Sequence, residues 1–319
     1  MSFVALSVPG IRKSELKKTR HGGIVMKIGS REFNLGQGHI YIMGILNVTP
    51  DSFSDGGKFN RMDSALYHVE EMIRQGADMI DVGGESTRPG YQKISVEEEI
   101  SRVANMIARI KQRFDIPVSA DTYKAPVMQA ALEAGADLAN DIWGLRYEHF
   151  FAPDGAHAIW PCGTMAEVVA AHHVPICIMH NRPEVHYQNF MRDVSADLQE
   201  SISIGTAAGI DRNEMILDPG IGFAKDYAQN MYVLSHLDSF LELGMPLLLA
   251  ASRKSVIGRT LDLPVEEREE GTLVTSVLAG IAGWDFVRVH DVEKNVRALK
   301  MLEQIKMYEK IKNVLDINR

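Results

Sequence analysis

The chain has 319 residues, of which 45% are hydrophobic and 24% are charged. These fractions are typical of a folded globular protein and exclude a wholly disordered chain. No run of about 20 apolar residues occurs, so we expect no membrane-spanning helix. The formal net charge of −8 disfavours nucleic acid as a partner, because nucleic-acid-binding proteins usually carry a basic excess. An anionic small substrate remains possible if lysines and arginines are concentrated in one cleft.

Cysteine usage and the amino terminus bear on location and on domain organisation. The two cysteines are Cys162 and Cys177, and no CxxC motif is present. This pattern disfavours a disulfide framework and a structural zinc site, and it predicts a cytoplasmic protein. A short apolar run precedes the first basic residues, which is the reverse of the order in a signal peptide. We therefore expect a polar tail over residues 1–22 and a single domain over residues 23–319.

The predicted secondary structure alternates along the chain. Residues 22–39 alternate between apolar and polar types, which predicts a β-hairpin that could cap the bottom of a barrel. Short apolar runs then predict strands near 40–46, 78–83, 116–121, 136–141, 174–179, 214–218, 246–251 and 285–289. Amphipathic segments predict helices near 62–75, 97–113, 124–134, 163–172, 193–209, 227–243, 265–282 and 291–314.

Three glycines support this alternation. Gly76, Gly135 and Gly283 each stand between a predicted helix and the next predicted strand, where the left-handed conformation that ends a helix favours glycine. Eight strands that alternate with helices predict an α/β fold of the closed (β/α)8 TIM barrel type. A doubly wound open sheet is the alternative, because hydrophobic periodicity does not show whether a sheet closes.

One connection is unusually long. Residues 143–164 follow the fourth predicted strand and are rich in aromatic residues, whereas connections in α/β units usually have two to six residues. We therefore expect a long insertion after strand four, on the side of the barrel where the strands end.

Polar side chains stand at the ends of the predicted strands. In a TIM barrel these ends meet at one mouth, which is where the chemistry takes place. The residues at or just after the ends are Asn47, Asp81, Asp121, Asn140, Asp141, Met179, His180, Asp218, Lys254, Arg288 and His290. Any one of the aspartates could equally be a helix cap, and His180 has the apolar neighbours of a core histidine. Only the whole set, brought to one mouth, indicates a functional site.

Four of these residues suggest a flat heteroaromatic ligand. Asp121, Asn140, Asp218 and Lys254 would be costly to bury without a hydrogen-bonding partner. The carboxylate of Asp218 can accept two parallel N–H bonds from an amino-pyrimidinone edge. Asn140 can both donate to and accept from a neighbouring ring.

Other residues suggest a phosphate-bearing substrate. Arg88, Arg288 and His290 can bind phosphate oxygens, and the amide oxygen of Asn47 suits Mg²⁺, which takes few protein ligands when the substrate carries phosphate. Residues 49–57 and 83–90 are rich in turn-forming residues and long enough to close over such a site.

Seven motifs together resemble the dihydropteroate synthase family, in the form found in Gram-positive bacteria. They are MGILNVTPDSFSDGG (43–57), IDVGGESTRPG (80–90), DTYK (121–124), NDIWG (140–144), DPGIGFAK (218–225), SRKSVIG (252–258) and VRVHDV (287–292). The resemblance extends from about residue 22 to residue 312. It implies a TIM barrel transferase of folate biosynthesis. Such an enzyme joins 6-hydroxymethyl-7,8-dihydropterin pyrophosphate to p-aminobenzoate and releases 7,8-dihydropteroate and pyrophosphate.

The resemblance also implies roles for individual residues. Asp121, Asn140, Met179, Asp218 and Lys254 would bind the pterin, and Asn47, Arg88, Arg288 and His290 the pyrophosphate, with Mg²⁺ on Asn47. Phe53, Thr87, Pro89, Phe223 and Ser255 would line the p-aminobenzoate slot, where sulfonamides compete. Asp55, Arg88 and Lys254 would be catalytic, with Asp55 stabilising the cation of an SN1-like reaction. Family members usually form homodimers through helices on one side of the barrel.

Two alternative functions are open at this point. A methyltetrahydrofolate methyltransferase domain shares the barrel and the pterin contacts. The intact TPDSFSD and STRPG segments and the anion site of Arg288 and His290 speak against it, because methyl transfer involves no pyrophosphate. A catalytically silent pterin-binding paralogue is supported only by the insertion at 145–164, which this chain has in addition to the family pattern.

Overall fold

A computed structural model describes residues 23–48, 58–85, 93–152 and 160–315, without the side chains of residues 58–61 and 309–315. The predicted tail over residues 1–22 therefore lies outside the described residues. The described strands are β1 (Ile24–Ile28), β2 (Arg31–Leu35), β3 (Tyr41–Asn47), β4 (Met79–Gly83), β5 (Val118–Asp121), β6 (Leu138–Asp141), β7 (Ile176–Met179), β8 (Met215–Asp218), β9 (Leu248–Leu249) and β10 (Phe286–Val289).

The helices follow the strands in alternation. The described helices are α1 (Lys58–Gln75), α2 (Val96–Arg113), α3 (Ala125–Glu133), α4 (Tyr147–Phe151), α5 (Met165–His172), α6 (Phe190–Ala208), α7 (Tyr227–Ser235), α8 (Ser255–Leu261), α9 (Glu269–Ala282) and α10 (Val292–Leu315). None of these helices combines the length and the apolar character that crossing a membrane requires.

The strands close into a barrel. Among the described strands, β3 to β10 form one parallel sheet in the order β8-β7-β6-β5-β4-β3-β10-β9. The remaining gap is closed by a parallel bridge between Leu217 of β8 and Leu247, next to β9, and the amide of Leu217 donates to the carbonyl oxygen of Pro246 at 2.9 Å. The prediction of a (β/α)8 barrel is confirmed, and the open doubly wound sheet is excluded.

Alternation along each strand divides the core into two clusters. Side chains that face outward, such as Ile80, Val118 and Ile178, pack against the helices. The alternate side chains form a separate interior cluster that contains Met43, Met79, Leu138, Cys177, Ile216, Leu248 and Phe286. A β-strand presents successive side chains to opposite faces, so the interior residues of the next layer lie two positions further along each strand.

The amino-terminal hairpin closes the barrel from below, as predicted. Strands β1 and β2 pair antiparallel, and every second residue is buried. The buried hairpin residues Met26, Ile28, Phe33 and Leu35 belong to the interior cluster. Their apolar side chains pack into the lower end of the barrel, on the side away from the carboxyl ends of the strands.

The predicted helix ends agree with the structure in most places. Gly76, Gly135 and Gly283 have φ angles of +102°, +104° and +81°, as expected of glycines that end helices. The helix predicted over 227–243 is wrong in extent, because α7 ends at Ser235 and a 3-10 helix follows over Leu237–Leu243. The short helices α4 and α8 were not predicted, since five and seven residues give too few turns for a periodic pattern.

The insertion after the fourth barrel strand is partly anchored in the core. Within it, α4 places the buried carboxylate of Glu148 at the start of α5, where it accepts the amide N–H of Met165 at 3.2 Å. The rings of Trp143, Tyr147 and Phe151 contact one another and form an aromatic cluster in this segment. The segment therefore begins as a packed element, and residues 153–159 lie outside the described part.

Candidate active site

The second interior layer consists mainly of polar side chains. Its members each lie two residues beyond a residue of the apolar interior layer or, for Asp121, beyond Ser119: Ile45, Asp81, Asp121, Asn140, Met179, Asp218, Ala250 and Arg288. These side chains stand at the carboxyl ends of the strands, above an apolar floor. We call this set the polar layer, and it contains four of the five predicted pterin-binding residues.

Arg288 joins two carboxylates of the polar layer. Its Nε donates to Asp81 Oδ2 and its Nη2 donates to Asp121 Oδ2, both at 2.6 Å. Asp81 is completely buried and also accepts from Asn140 Nδ2, at 3.3 Å. The sequence predicts Arg288 as a pyrophosphate ligand, whereas the structure places its guanidinium between two carboxylates inside the barrel.

Asp81 is not among the predicted substrate-binding or catalytic residues, although it is hydrogen-bonded to two of them, Arg288 and Asn140. It stands at the end of a predicted strand and within the motif IDVGGESTRPG (80–90), so its position is visible in the sequence, but no role was assigned to it. Three hydrogen bonds from Arg288 and Asn140 hold its carboxylate. It therefore orients the Asn140 amide and the Arg288 guanidinium.

Asp218 belongs to the polar layer, and Lys254, which precedes α8, lies next to the layer at the rim. Asp218 is 3% exposed, and its Oδ1 accepts the amide N–H of Gly220 at 2.8 Å. The Lys254 ammonium donates to the carbonyl oxygen of Ile221 and lies 4.7 Å from the ring centre of Phe223. A carboxylate, an ammonium and an aromatic face thus lie close together at the mouth.

Burial shifts the pKa of the charged groups in this layer. Desolvation raises the pKa of Asp121 to about 7, against the opposing effect of the Arg288 charge. Desolvation also raises the pKa of Asp218, which the Lys254 charge opposes. It lowers the pKa of Lys254 to about 8, although Asp218 favours its charged form. Groups held this far from their ordinary pKa are typical of ligand-binding sites.

The remaining predicted residues that the structure describes lie around the mouth. Asn47 ends β3, beside Gly83 of β4. His290 follows β10, and its Nδ1 lies 2.9 Å from the Ser252 hydroxyl. Ser255 begins α8 and is exposed. Met179 ends β7 and packs with Tyr123 and Ile142. None of these positions contradicts the predicted roles.

Five predicted residues lie outside the described residues. These are Phe53 and Asp55 of the first predicted loop and Thr87, Arg88 and Pro89 of the second. Their predicted roles remain predictions. The described ends of the second segment are held together by Lys124, whose Nζ donates to Glu85 Oε2 at 2.8 Å and to the carbonyl oxygen of Ile94 at 2.9 Å.

A second buried network stands behind the polar layer and was not predicted. His180 and Lys225 are both buried, and His180 Nδ1 lies 2.8 Å from Lys225 Nζ. Desolvation lowers the pKa of His180 to about 3 and that of Lys225 to about 7. The sequence offered one signal, because Lys225 ends the DPGIGFAK motif, but nothing in a linear motif showed its contact with His180.

The described residues contain no group of three or more His, Cys, Asp or Glu side chains arranged to hold a metal ion. This is compatible with a metal that arrives with a phosphate-bearing substrate, because Mg²⁺ then needs only one or two protein oxygens. The amide oxygen of Asn47, at the rim of the mouth, is a donor of the required kind.

Taken together, the geometry fits a flat, polar ring. An apolar floor lies below it, carboxylate and amide groups surround its edge, and cationic groups stand at the rim. Such a site can accept N–H groups through Asp218 and Asp121 and can stabilise negative charge near Lys254 and His290.

Comparison with known proteins gives consistent results. The family model for pterin binding enzymes matches residues 43–290. A dihydropteroate synthase from Clostridium beijerinckii is 56% identical over 281 residues, covering 88% of this chain and 99% of that protein. One from Bacillus subtilis is 52% identical over 262 residues, covering 82% of this chain and 87% of that protein.

The solved structures agree with these relatives. The crystal structure of a dihydropteroate synthase from Clostridium difficile, determined in the presence of pteroic acid, is similar with a TM-score of 0.77 and 43% sequence identity. The match covers 88% of this chain and 98% of that one.

Proposed function

The chain belongs to the dihydropteroate synthase family of pterin binding enzymes, and from this premise we propose how its own residues carry out the reaction. It is a transferase of folate biosynthesis that joins dihydropterin pyrophosphate to p-aminobenzoate. The observation that carries the proposal is the polar layer above the apolar floor of the barrel. Its polarity and its position at the strand ends, above an apolar floor, suit a pterin ring.

The pterin binds within the polar layer. Asp218 accepts two N–H bonds from the amino-pyrimidinone edge, and Asn140 and Asp121 bind the neighbouring ring edge. Lys254 donates to the ring from the rim, and Met179 packs on its face. Burial makes each of these hydrogen bonds strong, because water does not compete for the partners.

The pyrophosphate lies at the rim, where positive charge is available. His290, Arg88 and Arg288 bind its oxygens, and Asn47 contributes an oxygen ligand to Mg²⁺. When bound, Mg²⁺ neutralises charge on the leaving group. Arg288 uses two of its five N–H donors on Asp81 and Asp121, which leaves other N–H donors of the same guanidinium for a phosphate oxygen.

The bond that breaks joins the pterin methylene carbon to a pyrophosphate oxygen. The electron pair leaves with pyrophosphate, and the positive charge is delocalised into the electron-rich dihydropterin, which favours an SN1-like path. Asp55 stabilises this cation. The amino group of p-aminobenzoate then forms the new C–N bond and loses a proton. Its lone pair is already free, so proximity and exclusion of water supply much of the acceleration.

The p-aminobenzoate slot is formed by Phe53, Thr87, Pro89, Phe223 and Ser255. Phe223 supplies an aromatic face next to the Lys254 ammonium, which suits a benzoate ring with one charged end. Sulfonamides have the same shape and polarity, so we propose that they compete in this slot. The location of the enzyme in the cytoplasm stays a prediction from cysteine usage.

Pyrophosphate release by the purified protein tests this function. We expect release to depend on p-aminobenzoate, with dihydropteroate detected by mass spectrometry, and to stop when EDTA removes Mg²⁺ and resume when Mg²⁺ is restored. Absence of turnover, with pterin binding still detected by calorimetry, would contradict the proposal and support a silent paralogue. Undiminished turnover in EDTA would contradict the Mg²⁺ assignment alone.

We also propose that the protein is a homodimer through α9 and α10. These helices are adjacent, since Ser276 of α9 donates to Asn295 of α10 at 2.7 Å. Exposed apolar side chains form a stripe at helical spacing on each: Val274, Leu278 and Ile281 on α9, and Met301, Ile305 and Tyr308 on α10. Contiguous exposed apolar surface of this kind marks protein interfaces.

Charge placed in this stripe should separate the dimer. Val274 and Met301 are 60% and 62% exposed, so the double substitution Val274→Asp and Met301→Asp should leave the fold intact. We expect light scattering to give about twice the chain mass of 35.5 kDa for the wild type and a single chain for the variant. Val185→Asp, which places a single aspartate at an exposed site outside both helices, is the control. A monomeric wild type, or a variant that stays dimeric, would contradict the proposal.

A further inference from the structure

The loop between β8 and α7 positions two of the side chains that we propose contact the substrates. This loop, residues 219–226, carries Phe223 itself. It also receives the Lys254 ammonium on the carbonyl oxygen of Ile221, and that ammonium lies 4.7 Å from the Phe223 ring centre. A shift of the loop would therefore move both an aromatic wall of the p-aminobenzoate slot and the lysine that binds the pterin.

Lys225 holds this loop from inside the protein. Its side chain is buried, and its Nζ donates to the carbonyl oxygens of Gly220 and Phe223, both at 3.1 Å. The third neighbour of Nζ is Nδ1 of His180, at 2.8 Å. An ammonium has three N–H donors, so all three are used. The two carbonyl groups stand on either side of Ile221, which is the residue that receives Lys254.

His180 connects Lys225 to a fixed carboxylate. Its Nε2 lies 2.9 Å from Asp197 Oδ2. Asp197 is held in turn by Arg182, whose Nε and Nη2 both donate to it. A neutral imidazole has one N–H, and an ammonium can only donate. Nδ1 must then be the acceptor, and the proton lies on Nε2, directed at Asp197.

We propose that Asp197, His180 and Lys225 form a positioning triad for both substrates. Asp197 fixes the tautomer of His180, His180 fixes the Lys225 ammonium, and Lys225 fixes the two carbonyl groups around Ile221. The loop then presents Phe223 and the acceptor of Lys254 in one geometry. None of the three touches substrate. This inference rests on the proposed function, because it takes Phe223 and Lys254 as substrate contacts.

Lys225→Met tests the triad, since methionine has nearly the same shape but no donors. Assayed at a pH below 7, where Lys225 keeps its proton, we expect the KM for p-aminobenzoate to rise about tenfold with kcat reduced by less than about threefold. A merely structural lysine would lower the melting temperature and the active fraction, and hence kcat, with KM unchanged. That second result would overturn the proposal.

Substitutions at His180 provide an independent comparison. Asn places an acceptor oxygen near the position of Nδ1, whereas Leu places none. We expect His180→Asn to keep KM within about threefold of the wild type and His180→Leu to raise it about tenfold. Equal KM values for the two would contradict the triad. Lys111→Met is the matched control, because it removes a lysine ion pair to Asp137 at 2.6 Å, outside the contacts of this loop.

The tautomer of His180 can be measured without activity. Nitrogen-15 NMR of the wild type should show a neutral ring protonated at Nε2, and a ring protonated at Nδ1 would overturn the triad. If the wild type made no dihydropteroate, the proposed function would be wrong. The spectrum would still show whether His180 is protonated at Nε2, as the triad requires. If the wild type were active and Lys225→Met left KM unchanged, only the triad would fail.

Discussion

Replacing Arg288 with methionine should both destabilise the protein and abolish efficient turnover. The guanidinium neutralises two carboxylates, Asp81 and Asp121, through hydrogen bonds of 2.6 Å. Removing one partner of a buried pair leaves uncompensated charge, and we expect a loss of about 3 kcal/mol in the free energy of unfolding. Turnover should fall by a factor of about 100 or more, since the same cation serves the leaving group. Chemical denaturation and steady-state kinetics measure the two effects.

The stability loss in Arg288→Met should depend on pH with a definite sign. The pKa of Asp121 is already raised to about 7 by desolvation against the opposing Arg288 charge, and without that charge it rises further. A carboxyl group with a raised pKa binds more protons in the folded state than in the unfolded state. Stability therefore falls as the pH increases from the ordinary carboxyl pKa up to the raised one. In the wild type this decrease ends near pH 7, whereas in the variant it continues to higher pH. The variant should be closer to the wild type at pH 5 than at pH 8.

Two variants make this prediction specific. Arg288→Lys keeps the charge but loses the two-pronged geometry, so we expect it to recover stability more than turnover. Arg113→Met removes an arginine whose pairing with Glu70 is exposed, at 3.3 Å, and it should cost less than about 1 kcal/mol. A denaturation midpoint of Arg288→Met equal to that of Arg113→Met would show that the buried pairing contributes nothing to stability.

Asp218→Asn should remove pterin binding and leave the fold intact. The substitution turns one acceptor oxygen into an N–H donor that faces the N–H groups of the ring. We expect the pterin dissociation constant to rise about 100-fold or more, which corresponds to about 3 kcal/mol. Desolvation raises the pKa of Asp218, which means that burial of its charged form destabilises the folded protein. The variant should therefore unfold at the wild-type temperature or above it.

Asp137→Asn is the matched control for that substitution. Asp137 accepts from Lys111 Nζ at 2.6 Å and from the amide of Val118 at 2.9 Å, below the start of β6. Asp137→Asn should lower the melting temperature and leave pterin binding unchanged, whereas Asp218→Asn should do the reverse. Calorimetry and thermal unfolding on both variants distinguish them. Wild-type affinity in Asp218→Asn would refute the assignment of Asp218.

The fold could be predicted closely because its signals are local and repeated. Each strand is a short apolar run, and Gly76, Gly135 and Gly283 mark helix ends that need a left-handed residue. The hairpin was visible because buried Met26 and Ile28 alternate with exposed residues. Closure was not visible, because it depends on a bridge between Leu217 and Leu247, which are thirty positions apart and carry no local mark of pairing.

The site could be predicted as a set of residues but not as a set of contacts. Strand ends identified Asp121, Asn140 and Asp218, since period two and parallel pairing bring such positions to one layer. The sequence could not show that Arg288 spans to Asp81 and Asp121, because strand register and the reach of a long side chain decide that. It could not show the contact of Lys225 with His180 either, since 45 positions separate them.

A crystal structure of the protein with pteroic acid would show where the pterin lies, on which the proposed function depends. We predict that the ring lies above the apolar floor inside the barrel, with Asp218 at its amino-pyrimidinone edge and Asn140 at the neighbouring ring. The benzoate ring should lie beside Phe223. A pterin bound outside the polar layer, or one whose edge faces neither Asp218 nor Asn140, would contradict the proposed roles of these residues.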